Sequence, residues 1–297
     1  MYSVQQLGMI RNKEIEQIRK IKEVENANKN IKLLVDILDT KDFIFKKYYS
    51  GGDSGSLLLA TNKKDKTEKY IVKHEYFDCA CNEYMYSKIG NEMEIGIAPV
   101  KLFKVTDKKK LFKSDFVCGI KYYEESERVG YKYIKEHKNE IENWKDYFKF
   151  KGMENLFLES DGIEVIKKDK FIYRIDTTSS FSLSHMYIEY LGYEGKFEEI
   201  DIGKFVIRNI MKLANFDENN MLKNWEISLK IFKEDSNSQE LQYYLEPFYK
   251  FLDVEDNKIQ KWCDTICYFY PDVIGEFYKT YFKNTKKCIR KFIEINK

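Results

Sequence analysis

The sequence predicts an α+β protein in two lobes: a small antiparallel sheet carrying one helix, then a mainly helical half. Two patterns support this. Residues 42–125 alternate short apolar or aromatic runs with turns rich in Gly, Lys and Asp, in the order β-β-β-α-β-β. Residues 126–297 instead place apolar side chains three and four positions apart, the period of helices packed on one face. The chain has 297 residues, 43% of them hydrophobic, which supports a large core and either one big domain or two lobes.

The elements follow in order. Residues 1–41 are expected to form an N-terminal helical extension. Ile10, Ile18, Ile21, Val24, Ile31, Leu34 and Leu38 mark an amphipathic helix or a broken pair of helices over 10–38. The first lobe spans 42–125. DFIFKKYYS reads as a strand, GGDSGS as a turn, SLLLATN as a strand, KKDKTE as a polar turn and KYIVKHEYF as a third strand. CACNEYMYSKIGNEM reads as a helix with Tyr84, Ile89 and Met93 facing inward, and IAPVKLFKV and DFVCGIKYYE as two further strands around the turn DKKKLFKS. The second lobe spans 126–297. It opens with a long helix, NEIENWKDYFKFKGMENLFLES, carrying Ile141, Trp144, Tyr147 or Phe148, and Leu156 inward. The strand pair IEVIKK and KFIYRID follows, then helices over 201–215, 219–233, 238–252, 256–269 and 272–295, the last started by Pro271 and Asp272.

Composition removes several functions. The 51 basic and 49 acidic residues nearly cancel, so nucleic acid is not expected as the main partner. The runs Lys108–Lys110 and Lys167–Lys170 read as solvated turns. Of the six cysteines, Cys79 and Cys81 lack zinc-knuckle spacing and no second pair completes them; Cys263 and Cys267 share a helical face. Reduced thiols, no leader-like segment and no apolar run near the ~18 residues of a membrane span point to a soluble cytoplasmic protein.

Four stretches could carry chemistry. In GGDSGS, Gly51, Gly52, Ser54, Gly55 and Ser56 give a backbone able to approach phosphate oxygens and turn N–H groups toward them; the same residues would also make a plain hairpin loop. Lys73 lies in an apolar strand, opposite in direction to Val72, facing either solvent or a cleft. Glu83, on the following helix, can pair with Lys73; Glu92 and Glu94 compete for that role late on the helix or beyond it. Asp176 ends an apolar strand before small hydroxyl residues, where a carboxylate either binds Mg²⁺ as a hard oxygen ligand or makes a local turn or cap.

Taken together, GGDSGS–YIVKHE, NEYMYSKIGNEMEIGIAPVKLF and YRIDTTSSF resemble the protein-kinase-like superfamily, in particular the divergent bacterial branch that includes HipA and CtkA. The resemblance covers residues 45–190. It implies a bilobal kinase-like fold, ATP and Mg²⁺ as cofactors, and a protein Ser/Thr hydroxyl as acceptor. The Gly51–Ser56 loop would cover the triphosphate and Lys73, held by Glu83, would neutralise the α- and β-phosphates. Asp176 would hold Mg²⁺, and Tyr122 and Tyr123 would lie near the adenine. The family's catalytic loop is the weakest match. No H-R-D or G-N-x-D-x-H occurs. Asp161 takes the place of the catalytic carboxylate, and the position five residues on is Ile166 rather than the metal-binding asparagine. A rival alignment uses Asp146 as base and Asn155 as metal ligand, and Asp161-Gly162 also reads as a simple turn. The alternatives are a catalytically silent pseudokinase acting as a binding module, a phosphotransferase of the aminoglycoside or choline type, and a helical interaction protein with no nucleotide site.

Overall fold

A six-stranded sheet is built from β1 (Ile37–Asp39), β2 (Phe43–Tyr48), β3 (Leu57–Asn62), β4 (Lys69–Val72), β5 (Val100–Lys104) and β6 (Phe116–Lys121); burial alternates along β3 and β4, whereas the middle of β6 is buried throughout. Their order is β1-β5-β6-β4-β3-β2. The computed structural model describes residues 37–48, 57–73, 77–107, 111–112, 116–159, 162–181, 218–269 and 272–295. All neighbours run antiparallel except β1, which lies parallel to β5 with Ile37 opposite Leu102. This corrects one expectation: Ile37 and Leu38, assigned to the N-terminal helix, are strand residues. Ile, Val and Leu satisfy either pattern, and the long-range pairing with β5 decides the outcome. The rest of the expected N-terminal helix lies outside the described residues, as does the expected helix over 201–215.

One face of this sheet holds a small aromatic cluster in which Phe43 meets Phe103 and Tyr70 edge-on at centroid distances of 5.0 and 6.1 Å. The other face receives helix α1 (Phe77–Glu92), which packs on β5 and β6 and touches the helical half beyond. Residues Ala80 through Tyr86 are all buried, so α1 is enclosed on nearly every side and lacks a solvent face. Tyr84, Ile89 and Met93 point inward as expected. Three polar side chains are carried into the interior with them: Asn82, Glu83 and Ser87. Each needs a partner there. Ser87 finds its own locally, donating to the Ala98 carbonyl at 3.0 Å and accepting from the Val100 amide at 3.0 Å.

A second sheet follows, β7 (Glu127–Arg128), β8 (Glu164–Lys168) and β9 (Phe171–Ile175), paired antiparallel in that order. It is tied to the first half through β9. The Arg174 amide donates to the Gly96 carbonyl at 2.8 Å, and the Ala98 amide to the Arg174 carbonyl at 3.0 Å. The Asn143 side chain clamps the same place, accepting from the Ile172 amide at 2.8 Å and donating to its carbonyl at 2.9 Å. That use of Asn143 explains why the long helix expected from residue 139 begins later: an amide engaged with a neighbouring strand competes with the helical ladder.

The helices of this half are α2 (Tyr131–Glu136), α3 (Asp146–Leu156), α4 (Glu218–Glu234), α5 (Ser238–Asp253), α6 (Asp256–Phe269) and α7 (Asp272–Ile295); α3 packs on β9, and α4, α5 and α7 pack on α3 or on one another. Asn237 starts α5 with a capping box, its side chain accepting from the Glu240 amide while Glu240 accepts from the Asn237 amide. Gly152 lets α3 approach α5 closely: a Cβ there would lie 2.0 Å from the Tyr244 carbonyl oxygen. Among the described residues no helix is long and apolar enough to cross a membrane, and Cys263 and Cys288 are buried thiols.

Two predictions follow from the α3–α5 contact. Gly152→Ala normally strengthens a helix, but here the methyl group meets backbone. It should therefore destabilise the protein by about 1–3 kcal/mol in a urea titration; unchanged or raised stability would show that the helices separate freely. The same contact carries Lys149, which reaches Asp146 at 3.1 Å and Glu246 at 3.0 Å, while Lys250 also meets Glu246 at 3.0 Å. Burial alone would raise the Glu246 carboxyl, but the Lys250 and Lys149 ammonium groups outweigh it and hold the carboxyl below its ordinary value of 4.5. A depressed acid stabilises the fold above its unfolded pKa and loses that contribution as pH falls through its folded value. Glu246→Gln should therefore cost stability at pH 7, and the deficit should shrink as pH falls below 4.5. A deficit independent of pH would exclude this ionic contribution.

Candidate active site

Lys73 stands one residue beyond β4, and its amide extends the ladder by donating to the Cys118 carbonyl at 3.4 Å. The side chain is buried, at 7% exposure. Its ammonium lies 2.7 Å from Glu83 Oε1 and 2.5 Å from Asp176 Oδ1. A buried ammonium must be compensated, and here two carboxylates share that task. Glu83 comes from α1, ten positions later, and is itself 2% exposed. Asp176 comes from the end of β9, 103 positions later. Its carboxylate side chain stays 39% exposed and reaches the cleft. One cation against two anions leaves the group with an excess of negative charge.

The Asp176 backbone is left-handed, with φ 58°, a conformation that Asp tolerates better than most residues. The next two residues hold it. The Thr178 hydroxyl donates to Asp176 Oδ1 at 3.2 Å, and the Thr177 hydroxyl to Glu83 Oε2 at 3.0 Å. Asn82 Nδ2 donates to the Thr178 carbonyl at 2.6 Å, and the Tyr278 hydroxyl on α7 donates to Asn82 Oδ1 at 2.7 Å.

Behind the site, Arg174 is fully buried. It donates to the Phe150 carbonyl at 3.2 Å and the Gly162 carbonyl at 3.3 Å, lies 3.8 Å from Glu159 Oε2, and places its guanidinium 5.2 Å from the centre of the Tyr86 ring. Ser180 donates to the same Glu159 oxygen. Arg174 thus ties the middle of α3, Glu159 beyond its end, Gly162 and the strand leading to Asp176 into one unit.

In front of the site a cleft opens between the two sheets, enclosing about 880 Å³ with its mouth included. Leu57, Ile71 and Ile120 line it from the first sheet and Ile166 and Ile175 from the second; Lys73 and Asp176 lie on its wall. Tyr122 and Tyr123 line it where the chain passes from one sheet to the other, and Tyr123 stacks on Tyr173 at 4.4 Å and 18°. Burial pushes both phenols up, Tyr123 also under the influence of Tyr173 and Tyr173 under that of Asp169, so the stack is uncharged at neutral pH.

The structure therefore brings together Lys73, Glu83 and Asp176, with Tyr122 and Tyr123 on the same cleft. Gly51, Gly52, Ser54, Gly55, Ser56 and Asp161 lie outside the described residues. Glu92 pairs with Lys258 at 2.5 Å and Glu94 sits in a turn at φ 56°, so neither takes the place of Glu83. Asp146 accepts from the Gly96 amide and Asn143, and Asn155 donates to Lys151 and Tyr244; both hold the scaffold rather than the cleft. Sequence reasoning did not single out Asn82, Thr177, Arg174 or Tyr278. For Thr177 the run of small hydroxyl residues after Asp176 was a signal; for Tyr278 there was none.

No family model matches this chain, and neither does any curated protein sequence. Its architecture is matched by the crystal structure of a Helicobacter pylori proinflammatory kinase, CtkA, with a TM-score of 0.55 at 14% sequence identity, over 87% of this chain and 99% of that one. The chain has a kinase-like bilobal fold. Within that kinase-like fold the small sheet with α1 forms one lobe, the helices form the other, and the Lys73 cluster lies between them. At this identity the likeness speaks to fold, and chemistry has to be argued from the site.

The cluster itself is testable without a ligand. Lys73→Met removes the cation between Glu83 and Asp176 and leaves a buried carboxylate without its ionic partner. We expect a loss of about 3–5 kcal/mol in chemical denaturation. A loss below about 1 kcal/mol, the range of exposed pairs, would mean the ammonium is not shared as described.

Proposed function

We propose that this protein transfers the γ-phosphoryl group of ATP, with Mg²⁺, to a serine or threonine hydroxyl of a protein. The observation that carries the proposal is the Lys73 ammonium held between Glu83 and Asp176 at the wall of an apolar cleft. The residues suit such a ligand. Apolar side chains from both sheets form a slot for a flat heterocycle, with Tyr122 and Tyr123 along it. Lys73 supplies a fixed positive charge for phosphate oxygens, and its pairing with Glu83 limits its motion. Asp176 offers a cleft-facing carboxylate, the kind of hard oxygen that Mg²⁺ accepts alongside phosphate oxygens and water. Bound Mg²⁺ would neutralise charge developing on the transferred group.

Phosphoryl transfer asks a protein mainly for position and charge. Lys73 orients the α- and β-phosphates, and the Gly51–Ser56 loop covers them with backbone N–H groups. Asp161, next to the Gly162 carbonyl that Arg174 holds, orients the acceptor hydroxyl and accepts its proton. Cytoplasmic location and division of the chain into an extension (1–41), a small lobe (42–125) and a helical lobe (126–297) belong to the same proposal.

A second reading has an observation in its favour. Ile166 stands where the resemblance to the kinase-like superfamily expects the metal-binding asparagine. A nucleotide-binding regulatory module without turnover would need no second metal ligand.

Mg-ATP at 100 times its Kd should stabilise the protein by about 2.7 kcal/mol, read as a rise in melting temperature, and Asp176→Ala should abolish the magnesium-dependent part. Radiolabel from γ-labelled ATP should enter a protein substrate, with a loss of at least about 100-fold in Lys73→Ala and Asp161→Ala. No thermal shift at millimolar Mg-ATP would overturn the nucleotide site. A shift without incorporation would favour the regulatory reading, and unaltered turnover in Asp161→Ala would remove that residue from its role.

A further inference from the structure

We infer that Tyr278, on the C-terminal helix, is a positioning residue for Asp176, acting through Asn82, and that Thr177 does the same through Glu83. The inference rests on the proposed nucleotide site and deepens it by naming what sets the metal-facing carboxylate in place.

The argument starts from burial. Asn82, Tyr278, Glu83 and Thr177 are all at most 2% exposed, so each polar atom there must find its partner inside the protein. A primary amide has two ends of nearly equal size and opposite hydrogen-bonding character. At Asn82 the NH₂ end faces the Thr178 carbonyl at 2.6 Å, and the oxygen end receives the Tyr278 hydroxyl at 2.7 Å. The Thr178 carbonyl can only accept, so it sets which end of the amide faces it, and the Tyr278 hydroxyl pairs the other end. Without that hydroxyl the buried Asn82 oxygen has lost its donor, and the amide is no longer held from behind against the Thr178 carbonyl. That carbonyl lies two residues from Asp176, and the Thr178 hydroxyl bonds Asp176 Oδ1 directly.

A second observation points the same way. Asp176 sits at φ 58° and Phe181 at φ 63°. Such backbone angles persist only where surrounding structure over-determines them. Between the two, the segment is tied by Asn82 to the Thr178 carbonyl, by Thr177 to Glu83, and at its far end by the Phe181 amide donating to the Phe157 carbonyl at 2.7 Å. Apart from the direct pairing of Asp176 with Lys73, the ties to this segment near Asp176 come from α1 and, behind it, α7. The strained aspartate is therefore placed from the C-terminal helix inward, and Glu83, the residue beside Asn82, is fixed to the same segment through Thr177. Lys73, Glu83 and Asp176 behave as one preassembled unit in which α1 cannot shift without breaking buried hydrogen bonds.

The test separates metal placement from folding. Tyr278→Phe removes one oxygen and keeps the ring; Thr177→Val removes the hydroxyl at constant shape, and Thr177→Ser restores it. Binding of a fluorescent ATP analogue is titrated with and without Mg²⁺. The magnesium concentration giving half-maximal enhancement of binding should rise about tenfold in Tyr278→Phe and Thr177→Val, with Thr177→Ser close to the unaltered protein. Magnesium-free nucleotide affinity should stay within about threefold, and kcat should fall while KM for ATP holds. A purely structural role would lower the melting temperature without moving the magnesium midpoint, and that result overturns the inference. Equal magnesium dependence in all four proteins overturns it as well. If the unaltered protein shows no magnesium-enhanced nucleotide binding, the nucleotide site falls, and this role for Tyr278 falls with it; a normal response there, with unmoved midpoints in the variants, rejects the positioning role alone.

Discussion

A single ammonium group, held in the interior by two carboxylates from distant parts of the chain, is the constraint around which this protein is arranged. Lys73 cannot be buried by itself, because desolvation of an unpaired charge costs far more than any one packing contact returns. Its partners must therefore be delivered to within hydrogen-bond range, one by α1 and one by β9. That requirement explains several features of the fold that would otherwise look unrelated. Helix α1 is enclosed on nearly every side, with Asn82 and Glu83 in the interior. The second sheet is fastened to the first half through backbone bonds between β9 and residues 96–98, two positions before Asp176. Arg174 fills the space beneath and is bonded to carbonyls of Phe150 and Gly162.

Much of this was legible in the sequence, for identifiable reasons. The boundaries of α5, α6 and α7 fall within a residue of those expected, and Pro271 with Asp272 marks the start of α7 locally; the Asn237–Glu240 capping box at the start of α5 was a further local signal that the sequence reading did not use. The spacing from Lys73 to Glu83 was readable because a strand, a short connection and a helix leave few ways to place them. The β8–β9 pair and Asp176 at its end were marked by a short apolar run closing in an acid and small residues. What the sequence did not show were interactions set by tertiary placement. Residues 31–38 carry Ile, Leu and Val at spacings that suit helix or strand, and only β5 makes Ile37 and Leu38 a strand. Asn82 and Tyr278 are 196 positions apart, and no local pattern joins an amide on one helix to a phenol on another. Arg174 reads as the polar member of an alternating strand, whereas the fold turns that side of the strand inward.

The helical half serves the site through packing rather than through reactive groups. Phe157, Phe181, Phe251 and Phe282 meet at centroid distances of 5.1–6.1 Å, with Tyr278 against Phe181 at 5.7 Å. Edge-to-face and tilted contacts of this kind fix ring orientation as well as position. A tyrosine whose ring is wedged in such a cluster presents its hydroxyl in a defined direction, and at Tyr278 that direction is toward Asn82. The aromatic richness of the chain, 16% of residues, thus bears on polar geometry as well as on core stability.

The parallel seating of β1 has a consequence for how the molecule is made. On a ribosome, Ile37–Asp39 emerges long before the strand it lies beside, since three strands and a helix must follow before β5 appears. Until then the segment has no ladder partner, and the antiparallel hairpin of β2 and β3 can close without it. Its docking must come late, as the step that covers an otherwise open border of the sheet.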